Sequence, residues 1–268
     1  MKISGPSLAF RPKESNAFWT VWLSQIAGNK TIPDYYTYHL EGGLRDADND
    51  PQYTNASLAA LLRKYGLPDR QVFINEYASS QEQVPGGYIW WISRLERYDF
   101  FGMLGNWLGG LQLHDLFGGL LTKTHNRGDY KATDYAPAPG YPIYKYYNQN
   151  MTGLRAVTTG STDRWFDTYA TVGDDKVRIL AGVKVNIGTW NVKVQGLSAV
   201  GYKSGTVSVT KLSFDGSSTL QIGADTMNRG IENFTIAGDC ITIPLVQANN
   251  FSGWAFEFPV KPGSAALF

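Results

Sequence analysis

Apolar residues in the first half of the chain alternate between strand spacing and helical spacing. The apolar run at residues 2–9 predicts a strand. Residues 14–27 carry apolar side chains at helical spacing before Gly28, namely Phe18, Trp19, Val21, Trp22, Leu23 and Ile26. The same reasoning predicts strands at 34–40, 71–78 and 101–108 and helices at 55–65, 88–98 and 141–150. Strands that alternate with helices favour a parallel β/α architecture, either doubly wound or a barrel.

The pattern changes near Gly153. Short strand-like segments follow one another, separated by turn signals such as Asp215-Gly216 and Ala237-Gly238-Asp239. We predict strands at 155–159, 165–171, 176–185, 189–194, 206–214, 219–222, 234–244 and 254–260. This spacing is typical of an antiparallel β-sandwich. The predicted domains are therefore residues 1–152 (α/β) and 153–268 (all-β).

The charge balance excludes two classes of function. The chain has 24 basic and 23 acidic residues, so it shows neither a nucleic-acid footprint nor a polybasic membrane patch. No glycine-rich phosphate loop follows a predicted strand, which weakens a nucleotide-binding interpretation. Aromatic residues make up 14% of the chain. They fit both sugar binding and an all-β core, and composition does not separate the two.

Several features bear on cellular location. The one cysteine, Cys240, forms no internal disulfide, which decides nothing about the compartment. Five N-x-S/T sequons favour a secreted glycoprotein; they begin at Asn29, Asn55, Asn150, Asn233 and Asn250. No signal peptide follows Met1. We expect a secreted, extracellular protein of which this chain is a fragment.

The candidate chemistry lies where the predicted strands end, as the working groups of β/α barrels do. Glu76 follows the apolar run Val72-Phe73-Ile74, so its carboxylate lies at the exit of a buried strand. It needs hydrogen-bond donors to stay ionised, and Tyr38, His39 and Trp107 are candidates. A carboxylate that caps the following helix or pairs with an arginine explains the position equally well.

Other polar residues have simpler interpretations. His39, His114 and His125 lack metal-ligand spacing, so no metal or other cofactor is predicted. His114 and His125 fall in a loop. In the helix predicted at 88–98 we assign Arg94, Glu96 and Arg97 to a solvated face, opposite the apolar stripe.

Four short motifs, in order, resemble the second half of a clan A glycoside hydrolase barrel. They are Ile3-Ser-Gly-Pro6, Tyr36-Thr-Tyr-His39, Ile74-Asn-Glu-Tyr77 and Gly105-Asn-Trp107. With the sandwich that follows, the chain is similar to the family that contains β-xylosidases and α-L-iduronidases. The resemblance implies the C-terminal half of a TIM (β/α)8 barrel, strands five to eight, followed by an antiparallel β-sandwich.

The resemblance also implies roles for individual residues. Glu76 corresponds to the nucleophile, Tyr38 and His39 line the site, and Trp107 corresponds to a platform below the sugar. Asn75 and Tyr77 flank the nucleophile and are expected to bind substrate. The family's acid/base is a glutamate on the fourth barrel strand, which would precede Met1.

Within this chain, Glu41 is the best substitute for the acid/base and a candidate substrate-binding residue. Its neighbours Gly42 and Gly43 indicate a turn. Asp115 and Asp129 are more typical of solvated loop acids.

The sequence thus predicts a retaining glycoside hydrolase that cleaves O-glycosidic bonds of a poly- or oligosaccharide without a cofactor. Lacking its acid/base, the fragment is expected to be inactive alone. Two alternatives stay open. One is a non-catalytic carbohydrate-binding protein. The other is an inactive half-barrel that self-associates through its exposed strand edges.

Overall fold

The computed structural model describes residues 1–41, 49–105, 120–125, 129, 131–216 and 226–262. Strands and helices alternate in the first part of the chain, as predicted. The elements are β1 (Ser4–Leu8), α1 (Ala17–Asn29), β2 (Tyr35–Leu40), α2 (Pro51–Tyr65), β3 (Val72–Tyr77), α3 (Pro85–Arg97), β4 (Phe100–Leu104), β5 (Leu121–Lys123), β6 (Tyr135–Pro137) and α4 (Tyr141–Asn150).

Local chemistry sets the ends of the first two helices. Asn16 caps α1 by accepting a hydrogen bond from the Phe18 amide at 3.0 Å. Asp50 caps α2 in the same way through the Gln52 amide at 2.9 Å. Helix α2 ends at Gly66, whose φ of 64° suits glycine because it has no Cβ to clash.

Strands β1 to β4 form one parallel sheet in that order. One face is buried beneath helices: Tyr36 and Tyr38 of β2 are fully buried and meet Trp22 and Trp19 of α1 edge-on. Edge-to-face contacts suit the quadrupoles of aromatic rings. On the opposite face Phe73 of β3 packs beside Phe101 of β4, which is 53% exposed.

The rest of the chain is antiparallel. Its strands are β7 (Leu154–Arg155), β8 (Phe166–Val172), β9 (Lys176–Val183), β10 (Gly188–Gln195), β11 (Thr206–Phe214), β12 (Met227–Thr235), β13 (Cys240–Gln247) and β14 (Gly253–Pro259). Six form a sheet in the order β12-β11-β14-β9-β8-β7, and β10 pairs with β13. Both sheets contribute to one apolar core, the arrangement of a β-sandwich.

The strand prediction over 234–244 is wrong as a single element. Residues Ala237 to Asp239 turn the chain between β12 and β13, and Asp239 has a φ of 61°. Strand β12 begins seven residues before the predicted start, at Met227. The strand predicted at 219–222 lies outside the described residues.

The chain forms two compact units. One contains residues up to Gln81 and the chain from Arg94 through β4; the other contains Glu82–Ser93 and the chain from Leu120 onward. In chain order, helices give way to antiparallel strands between Asn150 and Leu154. The domain boundary at residue 153 stays a prediction. None of the described helices is long and apolar enough to cross a membrane.

Arg94 corrects the prediction of a solvated face on α3. Its side chain is 2% exposed, and its guanidinium lies 3.5 Å from the carboxylate of Asp50, which is 4% exposed. It also donates to Gln52 Oε1 at 3.3 Å. The apolar stripe predicts a helix with one buried side, but residues 88–95 are buried on every side of the helix. A charge there has to be paired.

Candidate functional site

A β-bulge brings Glu76 to the face of the parallel sheet that carries His39. In the register between β2 and β3, Tyr38 pairs with Ile74 and the next residue, His39, pairs with Glu76, so Asn75 is extra. Without the bulge, Glu76 would share the helix-covered face of Ile74, because side chains alternate along a strand. The extra residue reverses that alternation and turns the carboxylate to the opposite face.

His39 is held in a defined orientation beside this carboxylate. Its Nδ1 lies 3.0 Å from the carbonyl oxygen of Leu8. A carbonyl oxygen only accepts, so Nδ1 carries a hydrogen and Nε2 is free to face Glu76. Nε2 lies 3.9 Å from Oε2 of Glu76. The imidazole therefore meets the carboxylate as a close neighbour rather than through a direct hydrogen bond.

Glu41, one residue beyond β2, completes a group of three titratable side chains. Burial raises the pKa of Glu41 to about 8, and the neighbouring Glu76 carboxyl adds to this rise through hydrogen bonding and charge.

Two hydroxyl residues, Ser7 of β1 and Thr37 of β2, were missed by sequence reasoning. The hydroxyls of Ser7 and Thr37 share a hydrogen bond of 2.8 Å. The backbone amide of Ser7 also donates to the hydroxyl oxygen of Thr37, at 3.0 Å. Ser7 has a φ of 58°, a conformation that costs free energy in a non-glycine residue. Alternation offers a signal for Thr37, since it lies two residues before His39 and so shares its face.

Tyr38 and Tyr77, both predicted to bind substrate, lie on the side of the sheet away from Glu76. Tyr38 is fully buried on the helix-covered face, where its hydroxyl donates to Thr54 Oγ1 at 3.0 Å. Tyr77 is 4% exposed, and its ring packs against Gly102 of β4, where a Cβ would lie 2.9 Å from it. Both rings support the sheet from behind. Neither reaches the face that carries Glu76.

The other predicted residues have different outcomes. Asn75 is the partly exposed bulge residue itself. Trp107, His114 and Asp115 lie outside the described residues, so the roles predicted for them stay predictions. His125 is exposed and contacts Asp134, 2.9 Å from Nδ1 to Oδ2. Hydrogen bonds from Thr124 and His125 hold the pKa of Asp134 below its usual range.

Among the described residues, no group of three or more His, Cys, Asp or Glu side chains could hold a metal ion. What the described arrangement offers is a partly exposed carboxylate at the C-terminal end of a parallel strand, with an oriented imidazole beside it and a second carboxyl, Glu41, whose pKa is raised. A carboxylate of this kind can act as a nucleophile or as a base.

The chain is similar in fold to several solved structures. The chain matches N2152 from Neocallimastix frontalis with a TM-score of 0.76 and 24% identity, over 96% of this chain and 60% of that one. It matches a glucosidase from Croceicoccus marinus with a TM-score of 0.59 and 13% identity, over 97% and 60%. It matches a family 44 xyloglucanase from Paenibacillus polymyxa with a TM-score of 0.55 and 13% identity, over 96% and 57%.

The chain therefore has a fold found in glycoside hydrolases, and it spans about 60% of the length of the first structures it matches. No protein-family model matches the sequence. No curated protein matches it significantly either.

Proposed function

We propose that this chain is part of a retaining glycoside hydrolase in which Glu76 is the nucleophile. The observation that carries the proposal is the bulge that turns Glu76 to the open face of the sheet, at the strand end where barrel enzymes keep their working groups. The glycoside hydrolase fold gives this position its chemical context. The finer relation to β-xylosidases and α-L-iduronidases rests on the sequence motifs.

In the proposed reaction the Glu76 carboxylate attacks the anomeric carbon while the bond to the leaving oxygen breaks. The product is a covalent glycosyl-enzyme, which water then hydrolyses with overall retention of configuration. His39 faces Oε2 of Glu76 and, when protonated, adds a positive charge beside it. Its bond to Leu8 fixes the ring, so the imidazole stays in place as the carboxylate reacts.

The acid/base of the proposed reaction is a separate residue. A retaining pair brackets the glycosidic bond with its carboxyl groups about 5–5.5 Å apart. The family resemblance puts the acid/base on a barrel strand other than β1 to β4. We therefore do not assign that role to Glu41.

The test uses substrates whose leaving group departs without protonation by a catalytic acid. Dinitrophenyl glycosides carry a leaving group that departs unprotonated, so the first step needs only the nucleophile. A panel of such glycosides should give a burst of about one dinitrophenolate per chain when deglycosylation is slow. NMR should show that the first sugar product keeps its anomeric configuration. An inverted first product, or no release from any sugar in the panel, would contradict the proposal.

A second candidate function is carbohydrate binding without turnover, through the sandwich. A cavity of about 550 Å³ opens there between residues of both sheets. Its lining includes Trp190 and Phe166, whose rings stack 5.3 Å apart. Binding of an oligosaccharide that survives Glu76→Ala and is lost in Trp190→Ala would favour this function. Glycan titration followed by tryptophan fluorescence separates the two.

We also propose that β1 to β4 are half of an eight-stranded barrel. Two copies would associate through the exposed edge strands of this sheet, β1 and β4. Among the described strands, β1 pairs only with β2 and β4 only with β3. Phe101 and Met103 are 53% and 55% exposed on β4, and apolar exposure of this kind marks interaction surfaces. Sedimentation should show a dimer that dissociates in Phe101→Ser/Met103→Ser. A monomeric wild-type chain at high micromolar concentration would contradict the association.

A further inference from the structure

A second irregularity of the parallel sheet lies in β1, at Ser7. In the register with β2, Pro6 pairs with Thr37 and Leu8 pairs with Tyr38. Ser7 is therefore an extra residue, as in a β-bulge. Its φ of 58° costs free energy in a non-glycine residue, and such a conformation persists only where surrounding contacts hold it. The contacts of Ser7 thus show what maintains the bulge.

Thr37 of β2 makes the contacts that hold this bulge. Its side chain is buried, and its hydroxyl oxygen accepts a hydrogen bond from the Ser7 amide at 3.0 Å. The same oxygen shares a hydrogen bond of 2.8 Å with the Ser7 hydroxyl. A buried hydroxyl costs free energy unless it is hydrogen-bonded. The two bonds therefore stabilise the Thr37 hydroxyl and the backbone of the bulge together.

The bulge decides where the carbonyl of Leu8 lies relative to β2. Without the extra residue, Leu8 would pair with His39, because successive residues of two paired strands face each other in turn. With it, Leu8 pairs with Tyr38, and its carbonyl oxygen lies 3.0 Å from Nδ1 of the His39 side chain. This contact keeps a hydrogen on Nδ1, and Nε2 lies 3.9 Å from Oε2 of Glu76.

We propose that Thr37 is a positioning residue that acts on His39 through the bulge. Its hydroxyl maintains the conformation of Ser7, and the bulge sets the position of the Leu8 carbonyl. That carbonyl fixes the His39 ring with Nε2 directed at Glu76. Because Nδ1 already carries a hydrogen, a proton taken up by the ring binds Nε2, next to the carboxylate. The value of this arrangement for catalysis rests on the function proposed above for Glu76, whereas the orientation of the ring does not.

Nitrogen-15 NMR of the whole chain, labelled in histidine, tests the orientation without any need for turnover. Spectra are recorded at about pH 9, above the ordinary titration range of histidine, and the His39 signals are assigned by their loss in His39→Gln. We expect the hydrogen on Nδ1 of His39 in the wild type. Thr37→Val keeps the shape of the side chain without the hydroxyl and should move the hydrogen to Nε2 in about half of the molecules or more. Thr37→Ser keeps the hydroxyl and should keep the wild-type tautomer.

Three further variants separate the bulge from a general effect of substitution. Ser7 is exposed, so its variants leave no interior cavity. Ser7→Pro removes the amide donor and fixes φ near about −65°, so it should release the His39 ring as Thr37→Val does. Ser7→Gly keeps the amide and adopts a positive φ freely, so it should keep the wild-type tautomer. Thr20→Val is the matched control on α1, where the hydroxyl donates to the carbonyl of Asn16 at 3.4 Å, and should leave His39 unchanged.

Two NMR results would overturn the proposal. One is a hydrogen on Nε2 of His39 in the wild type. The other is the wild-type tautomer in folded Thr37→Val, or in Ser7→Pro if circular dichroism shows that Thr37→Val does not fold. A hydroxyl that only satisfies its own burial would give this second result. The expected tautomers in a chain that reacts with no glycoside would contradict the glycosidase proposal and support the positioning of His39.

A double-mutant cycle shows whether Thr37 affects the reaction through His39. With dinitrophenyl glycosides, Thr37→Val should lower kcat about tenfold with little change in KM, and Thr37→Ser should restore kcat. In a His39→Gln background the same Thr37→Val should change kcat by less than about twofold, because the ring that it positions is gone. An equal loss in both backgrounds would overturn the route through His39.

Discussion

Replacement of Glu76 by alanine should lower the rate of glycosyl transfer from dinitrophenyl glycosides by about 10⁴-fold or more. Removal of a nucleophile eliminates the covalent route, and losses of this size follow in enzymes whose catalytic groups act as a unit. The cavity left by the carboxylate also admits a small anion. Added azide should therefore restore part of the rate and give a glycosyl azide of inverted configuration.

The matched control is Glu14→Ala. Glu14 is exposed and ion-paired with Lys64, far in the sequence from the three residues of the site. Its loss should leave the rate unchanged, which separates an effect at the site from a general effect of removing a carboxylate. A Glu76→Ala variant with undiminished rate, or azide rescue with retained configuration, would exclude Glu76 as the nucleophile.

Replacement of Arg94 by alanine should cost about 3–5 kcal/mol of the free energy of unfolding. Arg94 and Asp50 are both almost completely buried, so truncation of the arginine leaves a carboxylate without its cation in the interior. Asp50 also caps α2. Thr54 of the same helix accepts a hydrogen bond from Tyr38, on the helix-covered face of β2. Urea denaturation monitored by tryptophan fluorescence measures the loss.

Two further variants make the stability result specific. Arg97, one turn later on α3, is partly exposed, and Arg97→Ala should cost less than about 1 kcal/mol. The double variant Arg94→Met/Asp50→Leu removes both charges and should recover much of the loss, because apolar side chains replace buried ion pairs well. An Arg94→Ala variant no less stable than Arg97→Ala would show that the pair contributes little.

The regular spacing of apolar residues in the sequence predicted most of the strands and helices that the structure contains. The helix predicted at 141–150 is present over Tyr141–Asn150, and the four predicted strands of the α/β part overlap β1 to β4. The single strand predicted at 234–244 failed because strand-like residues continue on both sides of the turn at Asp239. Where a turn signal lies inside a long apolar run, the run should be predicted as two strands separated by a turn.

The site was harder to predict than the fold. The resemblance implies that Tyr38 and His39 both line the site, and Tyr77 flanks Glu76 in sequence, but strand alternation turns sequence neighbours to opposite faces. The bulge at Asn75 is a matter of register, and one residue decides which face Glu76 occupies. The extracellular location inferred from the sequons stays a prediction.

The measurement that tests the central claim most directly is covalent labelling of the nucleophile. A dinitrophenyl 2-deoxy-2-fluoroglycoside forms a glycosyl-enzyme that hydrolyses slowly, so the label can be located by mass spectrometry. We expect one fluoroglycosyl group on the tryptic peptide Gln71–Arg94, located at Glu76 by fragmentation and absent in Glu76→Gln. A label on Glu82 of the same peptide, or on another peptide, would contradict the assignment of Glu76.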